Sequence, residues 1–391
     1  MNINIKKLGE FCEFKAGGTP SRSKSEYWEN GSIPWVKIGD LKNKYITNTS
    51  EYITKEGLDN SSAKLLKKGT LVYSIFATLG EVSILDIDAT TNQAIVGIIN
   101  DNSEVDTNYL YYFLKSKREY VNNIGRGVAQ NNINISILKD IDVYVPNISF
   151  QKRIVEILDK AQELIDKRKE QIEALDELVK SKFIDMFGDP GSNPMKWPEG
   201  TIRDIVTEVK YGTSKPAVEG GKYKYLRMNN ITYNGELDIT NLKYIDIPDN
   251  EVEKYIVRKG DVLFNRTNSK ELVGKTCVFD LDEPMIIAGY IIRIRMNDKA
   301  LPEYLSAVLN SKYGKDVLYG MCKAIVGQAN INAQELQDIK IFIPPIKLQK
   351  QYVEFIQKVN KLKLEMEKSL KELEDNFNSL MQKAFKGELF N

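Results

Sequence analysis

Val145-Pro146-Asn147-Ile148-Ser149-Phe150-Gln151-Lys152-Arg153-Ile154-Val155-Glu156-Ile157-Leu158 returns as Ile343-Pro344-Pro345-Ile346-Lys347-Leu348-Gln349-Lys350-Gln351-Tyr352-Val353-Glu354-Phe355-Ile356, at an offset of 198 residues that carries Gln151 onto Gln349. Each stretch reads as the end of a strand, a proline break and the start of a helix. The same offset aligns Gln130-Asn131-Asn132-Ile133-Asn134 with Gln328-Ala329-Asn330-Ile331-Asn332, and Phe187-Gly188 with Phe385-Lys386-Gly387. Further upstream, residues 34–41 line up with 224–231 and residues 68–72 with 259–263, the offset drifting as loop insertions would make it. A repeat of this length decides the architecture: the chain is two divergent copies of one plan.

Within each copy, short β-rich runs come first, at residues 69–75, 94–99 and 141–145, then at 261–264, 286–294 and 339–343. Helices at about 108–122 and 302–318 interrupt them. Each copy closes differently. From Phe150 to Phe187 there is no proline or glycine, and Leu158, Ala161, Ile165, Ile172, Leu175, Val179 and Met186 recur at heptad spacing. The second copy repeats the stripe as Ile356, Val359, Lys363, Leu370, Leu373, Phe377 and Ala384, with Lys363 opposite Ile165 as a polar exception. Two long amphipathic helices follow, roughly 50–57 Å each at 1.5 Å per residue. The first carries the chain from one globule to the next and the second returns, so the pair is expected to be antiparallel.

The predicted fold class is α+β: two globular domains related by a pseudo-two-fold axis and joined by two long antiparallel coiled-coil helices. The expected boundaries are 1–148 for the first globule, 149–187 for the first long helix, 188–199 for a linker, 200–346 for the second globule and 347–391 for the second long helix. Duplex DNA has local dyads perpendicular to its axis, so two globules inverted on such a strut could reach two major-groove segments on one face of a duplex, roughly 34–36 Å or somewhat more apart.

Composition narrows the chemistry. The 391 residues hold no histidine, which removes Ser-His-Asp and Cys-His catalysis and histidine-containing zinc sites. Three scattered cysteines, Cys12, Cys277 and Cys322, suit buried small hydrophobes rather than a disulfide or metal framework. With 42% hydrophobic and 28% charged residues the chain is of globular type. It carries no apolar run of export or membrane-spanning length, so cytoplasmic residence without a membrane partner is expected. The formal charge of +1 means that any surface for a polyanion is a local patch.

Gly17-Gly18-Thr19-Pro20-Ser21, then Tyr27-Trp28 and Gly31-Ser32-Ile33-Pro34-Trp35-Val36, resemble the opening of the target recognition domains of type I restriction-modification specificity subunits. The paired Pro-x-Ile-x-x-Gln segments ending at Gln151 and Gln349 are similar to that family's entry into its spacer helices, and the resemblance covers nearly the whole chain. The second copy departs from it with Tyr211-Gly212-Thr213-Ser214-Lys215-Pro216, without the Gly-Gly pair. It gains Phe264-Asn265-Arg266-Thr267-Asn268, which resembles a family segment, where the first copy has Tyr73-Ser74-Ile75-Phe76-Ala77. The resemblance implies a non-catalytic subunit whose two domains each read half of a bipartite, asymmetric duplex DNA target. Two methyltransferase subunits would dock on the helical spacers, and restriction (motor-nuclease) subunits would join that core. No cofactor or metal is expected on this chain; S-adenosylmethionine, ATP and magnesium would belong to the partners.

Base reading needs paired donors and acceptors, typically Arg on guanine and Asn or Gln on adenine, while phosphates take Lys, Arg, Ser and Thr. Arg126, Gln130, Asn131 and Asn132 beside two glycines supply these groups, with Lys323, Gln328 and Asn330 as counterparts; the same amides suit a turn held by side-chain to backbone bonds. Asn265, Arg266, Thr267, Asn268 and Lys270 follow an apolar strand and fit either DNA contact or an exposed hairpin tip. Thr19, Ser21, Arg22 and Lys24, with Thr213, Ser214 and Lys215 in the second copy, suit phosphates or a solvated loop. Lys37, Arg227, Asn229 and Asn230 lie past short strands, where an inert surface role is the alternative. Two other classes fit the sequence less well. A stand-alone DNA-modifying or DNA-cutting enzyme lacks its motifs; Asp338-Ile339-Lys340 offers only a fragment of a nuclease pattern. A coiled-coil protein scaffold would leave two elaborate globules unused.

Overall fold

The computed structural model describes residues 4–125, 132–322 and 328–389. It divides into two compact units, Met1–Lys169 with Lys368–Asn391, and Glu170–Glu367. Each unit therefore takes part of both long helices, Ile148–Phe187 and Ile346–Phe385.

In the first unit the main sheet runs Cys12–Ala16, Ile95–Asn100, Leu71–Ser74, Val82–Leu85, Tyr45–Ile46, antiparallel except for the last pair. A second sheet holds Glu51–Ile53, Ile33–Val36 and Thr90–Thr91. The second unit repeats the order with Val206–Tyr211, Ile291–Met296, Val262–Asn265 and Thr276–Val278, and builds its other sheet from Lys243–Ile245, Tyr223–Leu226, Met285–Ile287 and Ile256–Val257. Leu71–Ser74 and Val262–Asn265 are buried on both faces, which is why they read as continuous apolar runs rather than alternating ones.

The strand run at 286–294 and both intervening helices differ from the sequence reading. The run expected at 286–294 is two strands in different sheets: the N–H of Ile291 bonds to the carbonyl of Ala288 and that of Gly289 to Thr213, so the chain turns from one sheet into the other. Each expected intervening helix is also two. Thr107–Ser116 is followed by Arg118–Gly125, and Pro302–Asn310 by Lys312–Met321, where the Ser311 hydroxyl breaks the run by capping the Gly314 N–H.

The first long helix starts at Ile148, one residue before the expected boundary at 149, and the Asn147 side chain accepts from the Phe150 N–H and the Ser149 hydroxyl at its entrance. Gly188 and Gly387, at φ +79° and +76°, lie just past the two helix ends, where a left-handed residue terminates a helix without steric cost. In the first unit Ile154, Leu158 and Ile165 share a core with Phe377, Met381 and Ala384, and Lys169 pairs with Glu374 at 2.9 Å. In the second, Asp176 bonds to Lys363 at 2.7 Å while Phe183 and Phe187 pack on Tyr352, so the helices run antiparallel there. Lys363, the polar exception in the stripe, is only 12% exposed and is held by both Asp176 and Glu236.

Gln151 and Gln349 fix these helices to their units. Both are fully buried. The Gln151 carbonyl accepts the N–H of Asp106 (2.8 Å), and its amide donates to the carbonyls of Glu104 and Pro146 (2.7 Å each). Gln349 makes the matching set with Leu301, Lys299 and Pro344. Beside them the hydroxyls of Tyr109 and Tyr304 donate to the carbonyls of Tyr144 and Phe342. Among the described residues no helix is long and apolar enough to cross a membrane, and no cluster of acidic or cysteine side chains could hold a metal ion.

Replacing Gln151 with Leu would strand one N–H and two carbonyls, all part-buried, at up to about 1–3 kcal/mol for each group left unpaired. Urea unfolding of Q151L should show a loss of at least about 2 kcal/mol, against under about 0.5 kcal/mol for exposed Lys152→Ala; equal effects would contradict the role.

Candidate nucleic-acid interface

The same join occurs in both units where a central strand runs out into a loop. In the second unit Thr267–Asn268 pairs antiparallel with Ala329–Asn330, the Ile331 N–H bonds to the Arg266 carbonyl (2.9 Å), and the Arg266 N–H to the Tyr290 carbonyl (2.9 Å). In the first, Phe76 bridges to Asn132, the Ile133 N–H bonds to the Ile75 carbonyl (3.1 Å), and the Ile75 N–H to Ala94 (2.8 Å). The backbone is shared and the side chains are not: Arg266 stands where the first unit has Ile75, and Thr267 where it has Phe76.

This join brings together Asn265, Arg266, Thr267, Asn268, Gln328 and Asn330, far apart in sequence. The Thr267 hydroxyl donates to the Asn330 side chain at 3.2 Å, and Asn268 is half-buried with its carbonyl capping the Ser269 N–H. Arg266 lies 4.8 Å over the Tyr211 ring, and its Nε has no hydrogen-bond partner. Asn265 is fully buried with neither side-chain amide atom bonded, an unmet demand that would cost about 1–3 kcal/mol. The exposed hairpin tip is thus excluded for Asn265 and Thr267, which are buried by the strand pairing; Lys270 stands 3.9 Å over Tyr319. Sequence reasoning missed Tyr211 and Tyr290, both substantially exposed beside this corner; an aromatic immediately before Gly212 was the available signal.

At the opening of the first unit, a Cβ on Gly17 or Gly18 would collide with backbone atoms of Asn92, Ser62 and Ala63. That close approach explains the Gly-Gly pair. In the second unit Gly212 occupies the place of Gly17, donating to Ile291 as Gly17 donates to Ile95, and buried Thr213 takes the place of Gly18. The loop after Gly18 is tied down although Ser21, Arg22 and Lys24 remain exposed to solvent. Trp28 and Trp35 donate to the carbonyls of Ser21 and Gly18 (3.1 and 2.9 Å), Thr19 bonds to Gln93, and Ser21 to Ser23 (2.9 Å). Arg22 stacks 3.5 Å over Trp28 and pairs with Glu51 at 2.6 Å; Lys37 reaches the same carboxylate at 2.5 Å, and Lys24 donates to the Tyr27 hydroxyl.

The remaining candidates are placed as follows. Lys215 pairs with Glu251 (2.9 Å) and Arg227 donates to the Asn241 carbonyl (3.2 Å). Asn230 is buried, its amide holding the turn by accepting from Arg227 and donating to Asp238, whereas Asn229 is exposed. Ser214 lies between Thr213 and Lys215 at the surface. Arg126, Gln130, Asn131 and Lys323 lie outside the described residues.

Hydrogen bonds from Lys37 and Arg22 hold the Glu51 carboxyl below its usual range. A depressed folded pKa contributes stability that is complete above the unfolded value, about pH 4.5, and is lost as pH falls through the lower folded value. Melting temperatures measured between about pH 3 and 6 should therefore fall less steeply for E51Q than for the parent chain; parallel curves would contradict the linkage.

Residues 2–175 and 194–375 each match the model of the type I restriction modification DNA specificity domain. The MjaIX type I restriction enzyme specificity subunit of Methanocaldococcus jannaschii is 30% identical over 254 residues, 58% of this chain and 58% of the relative, so the chain spans little over half the length of that relative. The EcoKI specificity subunit of Escherichia coli K12 is 22% identical over 392 residues, 93% of this chain and 84% of the relative. In fold, an S subunit from M. genitalium aligns over 98% of this chain and 96% of its own at a TM-score of 0.51 and 18% identity. A chain from a structure of type I restriction-modification complex assembly aligns over 99% and 98% at 0.62 and 18% identity.

Proposed function

Because this chain belongs to the type I restriction modification DNA specificity family, we propose that it is the DNA-reading subunit of such an enzyme, each unit reading one half of a bipartite, asymmetric duplex target. It performs no chemistry itself. Two methyltransferase subunits dock on the long helices, and restriction subunits join through them. S-adenosylmethionine, ATP and magnesium are held by those partners.

The observation that carries this reading is the shared loop join filled with different side chains: Arg266 and Thr267 in one unit stand where the other has Ile75 and Phe76, each pair facing an equivalent asparagine, Asn330 or Asn132. Base edges in the major groove are told apart by their donor and acceptor patterns and the thymine methyl. A common backbone corner with polar groups in one copy and apolar groups in the other is what two different half-sites require. Arg266 is the strongest single reader, since a guanidinium offers a paired donor set to guanine and is here restrained by Tyr211 instead of being neutralised by a carboxylate.

Exchanging residues 1–148 for the corresponding domain of another family member should change one half of the methylated site and leave the other intact. An unchanged methylation motif would contradict the assignment. R266A should weaken target binding by about 1–3 kcal/mol and relax the base requirement in the half-site read by the second unit; uniform weakening on all sequences would reduce Arg266 to a phosphate contact.

A further inference from the structure

Gly80 and Gly274 occupy the same place in the two units, both in left-handed backbone at φ +84° and +80°. Gly80 donates its N–H to the Ser74 carbonyl and Gly274 to Asn265, each at the end of its central strand. A Cβ on Gly80 would meet Arg118, and one on Gly274 would meet Leu318, so each glycine lies under the second of the paired helices. On those helices Val121 and Leu318 are the buried anchors. Arg118 and Lys315 stand one turn before the anchors, and Glu81 and Lys275 directly follow the glycines. The two pairs therefore correspond.

Their chemistry does not. In the first unit Arg118 and Glu81 form an ion pair. In the second the carboxylate has become a lysine, and two like charges share the site. Lys275 is 8% exposed and donates to the Met228 carbonyl at 2.9 Å. Lys315 donates to the Gly274 carbonyl (3.4 Å) and the Asn310 side-chain oxygen (3.1 Å). Every one of these acceptors is neutral. Burial, then the charge of Lys275, pushes the Lys315 amine down to about 8. Desolvated ammonium groups without a counter-charge are unfavourable, and the deficit is relieved by a bound anion.

Lys315 opens into a cleft of about 220 Å³. Lys270 lies in the same cleft, 3.9 Å over the Tyr319 ring, and Lys315 stands 5.4 Å from the Tyr233 ring. Both rings are more than half exposed. Two acids also line it: Glu271 is held by its own N–H and the Ser269 hydroxyl, and Asp316 is exposed to solvent; neither makes an ion pair with Lys315 or Lys270 among the described residues.

We propose that Lys315 and Lys270 bind a phosphate-class oxyanion in this cleft, with Lys275 supplying a second charge from behind, and that the first unit lacks the site because Glu81 already neutralises Arg118. The anion is either a backbone phosphate of bound DNA, in which case the inference rests on the DNA-reading function proposed above, or free inorganic phosphate.

The full chain and its K315Q, K315R and K275E variants distinguish these sources. For a DNA phosphate, the slope of log affinity for duplex DNA against log salt should shrink by about 0.9 in K315Q and K275E and return to the parent value in K315R. For free phosphate, the DNA slopes stay equal while inorganic phosphate raises the melting temperature of the parent and K315R and leaves K315Q unmoved. Equal DNA slopes together with equal phosphate responses in all four proteins would overturn the site. A parent chain whose DNA affinity ignores salt would overturn the DNA-reading function, and the phosphate titration then decides the site alone. Should K275E fail to fold, the comparison of K315Q with K315R carries the same decision.

Discussion

A glutamine side chain with no exposure, bonded on all sides to backbone, holds each long helix to its unit. Gln151 and Gln349 close three hydrogen bonds apiece across the proline break, tying the first turn of the long helix to the entrance of a shorter helix about 45 residues earlier in sequence. No other side chain of that length presents both a carbonyl and an amide, and losing either end would leave buried backbone groups unpaired. The departure angle of the helix is thereby set by directional bonds, while apolar burial alone would tolerate sliding.

Once the helix is pinned, the remaining packing follows from its apolar face. Ile154, Leu158 and Ile165 complete the first core together with residues from the far end of the second helix, and Phe183, Phe187 and Tyr352 do the same in the second. Each unit is thus incomplete without a piece of both helices, which explains why two segments distant in sequence belong to one compact body. The loops that differ between units, around Arg266 and Ile75, hang from strands buried on both faces. A rigid base with changeable side chains suits a protein whose copies share a frame and diverge in what they contact.

The repeat, the long helices and the glutamine pair were readable from sequence because each leaves a local mark: a constant offset, a heptad stripe, an amide after a proline. Lys363 looked like a defect in the stripe, since its partners Asp176 and Glu236 lie 187 and 127 residues away. For the same reason the tethering of Arg22 and Lys37 by Glu51, and of the 17–24 loop by Trp28 and Trp35, carried no sequence signal beyond the presence of the residues. The apparent single strand at 286–294 was misread because an apolar run does not reveal where it changes sheet. Of the candidate contact residues, the grouping of Asn265 to Asn268 with Gln328 and Asn330 emerged only from the strand pairing, although both stretches were singled out by composition. Asn230 had the right chemistry for base reading, but its amide is consumed by its own turn.

Under the function proposed above, two similar units read two different half-sites for a methylating complex. Mapping methylated bases genome-wide, in cells with and without this gene and its methyltransferase partner, addresses that claim most directly. A methylated motif with two unlike specified halves separated by unspecified bases should be present only when the gene is present. A contiguous or symmetric motif, or methylation indifferent to the gene, would contradict it.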